Sequence, residues 1–171
     1  MYQRVLFFIF LLSCSNDPRL VEEFITEREL PLEETKEAVL VHTENGDIKV
    51  EVFANSIKRF KNQDKEVLLE GIIVKFYNDS LAVQSILKAD YASIDEKNKI
   101  MKATNNVLLK NSDKKQLESE ELIWDENKNK IYTDMDVKIT TGNEVIFGEG
   151  FKSNLDFTAY TILKINGTVN F

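Results

Sequence analysis

Apolar and polar residues alternate with a period of two on both sides of Asn45-Gly46. No other feature of the chain constrains its fold as tightly. The stretch VLVHTENGDIKVEVFA sets two strand-like runs about that step. A type I′ turn needs positive φ at both central residues, and Asn-Gly provides it at low cost. Ile48, Val50 and Val52 then share one face, and Asp47, Lys49 and Glu51 take the other. The alternation returns in GIIVKFYND, which aligns Ile72, Val74 and Phe76. It returns in MDVKITTGNEVIF, which aligns Met135, Val137 and Ile139 before a turn at Gly142-Asn143. In TAYTILKINGTVNF, Asn166-Gly167 reads as one more hairpin turn. No strong amphipathic helix falls between residues 38 and 171. The pattern predicts an all-β domain of antiparallel strands over 38–171.

A weak internal repeat supports this. ADYASIDEKNKIMKATNNVLLKN begins at Ala89, and EELIWDENKNKIYTDMDVKITTGNEVIFGEG begins at Glu120. Asp95-Glu96 matches Asp125-Glu126, Ile100 matches Ile131, and Val107 matches Val137. Each unit reads as strand, charged turn, strand. Such units bury an apolar face only by stacking on one another.

The N-terminus reads differently. Arg4 precedes VLFFIFLL, eight apolar residues that reach about 12 Å as a helix against about 30 Å of bilayer hydrocarbon. The run is too short to span, and a basic residue before a short apolar stretch has the form of a secretory signal peptide. Leu11-Leu12-Ser13-Cys14 resembles the lipobox of bacterial lipoproteins. That resemblance implies cleavage before Cys14, the only cysteine, and its lipidation. Several acyl chains give stable anchoring where one gives marginal binding. The expected organisation is a signal peptide over 1–13, a lipidated cysteine with a Glu-rich tether over 14–37, and a β-domain over 38–171.

Charge and composition exclude several function classes. A formal charge of -7 disfavours nucleic acid as a partner. A lone cysteine permits no intrachain disulfide, and a lone histidine, His42, leaves little for metal or histidine-based catalysis. The nucleophile-elbow, zincin, P-loop and paired Cys-x-x-Cys motifs are missing. Glu120 and Glu121 are adjacent on a strand, so they point to opposite faces. Gly148-Glu149-Gly150 reads as a tight strand or bulge. His42 reads as a solvated or satisfied side chain. Trp124 and Tyr132 flank one turn and read as a cross-strand packing pair, with a ligand platform as the alternative. The chain is expected to be no enzyme and to need neither cofactor nor metal.

Ser119 to Phe151, SEELIWDENKNKIYTDMDVKITTGNEVIFGEGF, resembles the LptC family of lipopolysaccharide export components. The L-x-W-D turn, the V-K-I-T strand and the G-E-G-F segment carry the resemblance in order, and Ala89 to Asn111 fits the family's preceding unit. The lipobox start is similar to the lipoprotein form found in the Bacteroidetes lineage. Asn105-Asn106-Val107 stands where family members commonly have Gly-Asn-Val, and asparagine follows glycine in tolerance of positive φ.

The resemblance implies a twisted antiparallel β-jellyroll, open along one side, whose apolar interior receives the acyl chains of lipopolysaccharide. It implies strand-edge pairing with the inner-membrane ABC transporter's periplasmic domains and with a periplasmic bridge protein of the LptA/OstA type. It places the chain as an inner-membrane lipoprotein facing the periplasm, although the residues after Cys14 do not by themselves choose the membrane. The inward sets Ile48, Val50, Val52, Ile72, Val74, Phe76, Val137 and Ile139 are the expected groove lining, and ordinary core packing is the competing role for each. The competing function is a structural or protein- or glycan-binding envelope lipoprotein with no lipid conduit.

Overall fold

The computed structural model describes residues 31–60 and 66–170. Cys14, the signal peptide and most of the tether lie outside them. Nine strands follow one another among the described residues, with no helix. They are β1 (Glu33–Glu44), β2 (Asp47–Arg59), β3 (Glu66–Tyr77), β4 (Val83–Asp95), β5 (Ile100–Asn111), β6 (Gln116–Asp125), β7 (Lys130–Thr140), β8 (Glu144–Ser153) and β9 (Tyr160–Asn170). They form one antiparallel sheet in chain order, and the outer strands β1 and β9 do not pair, so it never closes into a barrel. β1 starts at Glu33, so residues 33–37 of the stretch read as tether belong to the sheet.

Local chemistry sets the turns. Asn45 and Gly46 take φ of 52° and 91° and close the β1–β2 hairpin as the sequence predicts. The two repeat units share a turn as well. In the β4–β5 loop Asp95 accepts the backbone N–H groups of Lys97 and Asn98, and in the β6–β7 loop Asp125 accepts that of Lys128. Each loop ends on a residue in left-handed backbone, Lys99 at 56° and Asn129 at 49°.

A line of β-bulges crosses the sheet near mid-strand. The register slips between Lys88 and Tyr91 in β4, Thr104 and Val107 in β5, Ser119 and Ile123 in β6, Thr133 and Asp136 in β7, and Phe147 and Gly148 in β8. A bulge bends its strand and adds twist. Aligned bulges bend the whole sheet, and the two halves then face each other. The contacts show it. Phe76 of β3 meets Trp124 of β6 edge-on at 5.6 Å, although these strands are not sheet neighbours. The β8–β9 loop returns to β4 and β5, where Ser85 Oγ donates to the Leu155 carbonyl and Asn111 Nδ2 to the Phe157 carbonyl. The core lies between the halves and includes Leu69, Leu87, Leu109, Leu117, Leu122, Ile131, Phe151 and Phe157. Each such side chain contributes about 1.5–3 kcal/mol on burial.

Bulges and strand register also correct three sequence readings. Met135 does not share a face with Val137 and Ile139. One extra residue in β7 between Thr133 and Asp136 breaks the alternation and leaves Met135 exposed. Asn166-Gly167 makes no hairpin turn. β9 runs straight through it beside β8, with Ile165 opposite Gly148 and Gly167 opposite Phe147, and Asn166 is the additional residue. Trp124 and Tyr132 are not a packing pair, because Tyr132 stands opposite Ile123 and Trp124 opposite Ile131, on the other face.

Candidate functional site

The apolar interior is the candidate site. Of the eight expected lining residues, Val50, Val52, Ile72, Val74, Phe76, Val137 and Ile139 are buried in one connected cluster, and Ile48 is half-buried near the first hairpin. Pairing explains their shared face. Val50 stands opposite Phe76 and Val52 opposite Val74, so β2 and β3 present one continuous row. On β7, Ile139 lies between Leu117 of β6 and Ile146 of β8. Sequence reading missed the part of the interior that precedes each bulge. In β3 the inward residues are Val67 and Leu69 before Gly71, then Ile72, Val74 and Phe76 after it. Gly71 at φ of 61° marks the change of parity, and an isolated glycine within a strand was the available signal.

The apolar face runs out to both edges of the sheet. On β9, Ile162 stands opposite Phe151 and Ile165 opposite Gly148, so both belong to the inner face. Ile165 is nonetheless 61% exposed. On β1, Leu40 stands opposite Val52 and His42 opposite Val50. Both outer strands therefore carry inner-face side chains and, among the described residues, an unpaired row of backbone N–H and C=O groups.

The outer face mixes charge with apolar side chains, among them the cross-strand row Val39, Phe53 and Ile73. Cross-strand ion pairs join Lys58 to Glu70 at 2.6 Å, Lys102 to Glu121 at 2.6 Å, Lys138 to Glu118 at 3.0 Å and Lys164 to Glu149 at 2.9 Å. The hydrogen bonds to Glu70 and Glu149 hold the Lys58 and Lys164 ammonium groups above their ordinary range. Such exposed pairs add little stability. Among the described residues no His, Cys, Asp and Glu grouping could hold a metal ion, and no helix is long and apolar enough to cross a membrane.

Trp124 occupies a junction. It packs edge-on against Phe76 on its core side, and His42 of β1 meets it at 6.2 Å. His42 also lies 3.8 Å from Glu126 and 3.9 Å from Glu44. His42 thus bridges β1 to β6.

A single open antiparallel sheet, bent over an apolar interior with both edges unpaired among the described residues, defines the open β-jellyroll class. A family model described as lipopolysaccharide-assembly, LptC-related, matches residues 35–169, and the chain belongs to that family. No curated protein matches it. Membership ties the protein to lipopolysaccharide transport in the cell envelope. The family is a transport component and not a known enzyme family.

Proposed function

We propose that this protein is the membrane-anchored periplasmic component of lipopolysaccharide export. It takes lipopolysaccharide from the inner-membrane ABC transporter and passes it to a periplasmic bridge protein of the LptA/OstA type. The observation that carries this reading is the continuous apolar row Val50, Val52, Ile72, Val74 and Phe76, with the same inner face extending to exposed Ile165 on β9. Each acyl CH₂ taken from water gains about 0.8 kcal/mol, so such a surface suits the lipid tails while the sugar stays in solvent. The unpaired edges of β1 and β9 suit strand addition by like-folded partners. Lipidation at Cys14 would hold the domain at the inner membrane. The energy for transport would come from the transporter's ATPase.

One observation favours the rival reading of a structural or ligand-binding lipoprotein. Phe76 and Val74 are 1% and 0% exposed, so their own neighbours fill the interior. Acyl chains then enter only if the two halves of the sheet part. In-cell photo-crosslinking from probes at Val50, Phe76 and Val137 separates the two readings. A lipopolysaccharide adduct that depends on cellular ATP is the expected result. If the folded, anchored protein gives no lipid adduct at any of the three positions, the conduit is ruled out.

A further inference from the structure

Two rows of side chains cross the outer face of β1–β5. One runs Val39, Phe53, Ile73, Lys88 and Leu108, each directly opposite the next in the strand pairing. The other, two residues along every strand, runs Val41, Glu51, Lys75, Ile86 and Lys110. Apolar side chains and ammonium groups are thus interleaved on one surface. Val39 is 55% exposed, Val41 51% and Phe53 37%. A shallow cavity of about 250 Å³ lies among Val39, Phe53 and Ile73.

The lysines here differ from others on the outer face. Lys58, Lys102, Lys138 and Lys164 each meet a carboxylate across the sheet. Lys75, Lys88 and Lys110 are exposed, and among the described residues they form no ion pair. Glu51 is the one carboxylate of the two rows. It stands opposite Lys75, but the Tyr77 hydroxyl donates to it. Asp90, beyond Lys88 on β4, accepts from Asn106. Three ammonium groups against one carboxylate leave a local positive surplus in a chain of formal charge -7.

That surplus selects the occupant. An anionic surface repels the chain as a whole, so the face with free ammonium groups is the one that approaches it. An acidic protein would need carboxylates in register with all three lysines. A fluid anionic bilayer supplies headgroups without register, and it also takes apolar tips at its acyl boundary while lysine stems lie along them.

We propose that the outer face of β1–β5 docks on an anionic lipid bilayer, with Lys75, Lys88 and Lys110 at the headgroups and Val39, Val41 and Phe53 entering the surface. The contact goes beyond the conduit reading and holds whether or not the interior carries lipid. β1 is the first strand after the expected anchor at Cys14, so lipidation there would favour the contact without being required for it.

The test uses full-length Cys14→Ser protein with a polarity-sensitive dye on a single new thiol. The thiol is Val41→Cys, or Lys152→Cys on the outer face of β8 as the control. The apolar leader can bring the chain to any vesicle, so the dye position is what decides. Vesicles are phosphatidylcholine alone, or phosphatidylcholine with about one third phosphatidylglycerol. The dye at 41 is expected to shift to the blue on the anionic vesicles only, and about 0.5 M salt to reverse the shift. The dye at 152 is expected to stay unchanged. Combining Lys75→Gln, Lys88→Gln and Lys110→Gln is expected to weaken the response at 41 by at least about tenfold, with circular dichroism checking the fold. If the dye at 41 responds equally to both vesicles, or if the triple variant responds as strongly as its parent, the assignment is overturned. If neither vesicle shifts the dye and polyglutamate does, the bilayer is overturned and the face belongs to an acidic protein.

Discussion

At the scale of single residues, two glycines show how differently the sheet uses the missing side chain. A Cβ on Gly148 would collide with Ile162 and lie 2.6 Å from the Lys164 backbone oxygen. Backbone in a paired strand cannot swing aside. Gly148→Ala is expected to cost about 1–3 kcal/mol and to speed amide exchange across β9, measured by urea unfolding and hydrogen exchange. A Cβ on Gly71 would meet only the exposed Asn55 side chain, which can rotate away. Gly71→Ala pays mainly for its φ of 61°, about 1 kcal/mol. Asn105 and Asn106, at φ of 65° and 51°, make the same point in the β5 bulge. Asn106→Val is expected to lower the urea midpoint by the equivalent of about 1–3 kcal/mol, and Asn106→Gly by much less.

At the scale of elements, the two repeat hairpins contribute to the acid sensitivity, beside Asp79, which Lys49 also holds below its ordinary range. The Asn98 backbone N–H and then its side chain hold Asp95 below the ordinary carboxylate range, and the Lys128 ammonium does so foremost for Asp125. A depressed carboxylate pKa contributes stability above the unfolded value, near 3.8, and that stability is lost as pH falls through the folded value. The melting temperature is expected to hold from neutral pH down to about pH 5 and to fall below about pH 4. Asp125→Asn should flatten that acid limb in melts between pH 7 and pH 3. The opposite sign applies to Lys128, which Asp125 raises above its ordinary 10.5; its contribution is lost only in strong alkali. The β9 edge gives a separate test. Ile165 is largely exposed, so Ile165→Lys is expected to change stability by no more than about 0.5 kcal/mol. If β9 is a docking edge, the inward lysine should abolish strand pairing with the bridge protein in a pull-down.

At the scale of the whole molecule, the β8–β9 loop fastens the bent sheet. Phe157 is fully buried, 5.5 Å from the Phe151 ring and 5.3 Å from that of Tyr160. Its carbonyl accepts from Asn111 on a strand three places away in the sheet. Phe157→Ala is expected to cost about 3–5 kcal/mol in urea unfolding, because it empties the place where the two halves meet.

Much of this architecture follows from local pattern. Alternation at Ile48–Val52 and Ile72–Phe76, the Asn45-Gly46 turn and the paired Asp95 and Asp125 turns act within a few residues, so the sequence by itself determined the antiparallel all-β class, the first hairpin and the inward faces between bulges. It also determined that Asn105-Asn106 would serve where glycine is usual, because tolerance of positive φ belongs to the residue. Tertiary structure alone decided where the alternation breaks. A bulge is chosen by what the bent halves must bury, so Met135 was turned outward and Asn166-Gly167 became strand. It alone decided that His42 meets Trp124, and that Trp124 turns from Tyr132 to Phe76. Those partners are more than forty residues apart in the chain, and only a sheet that bends over itself brings them together.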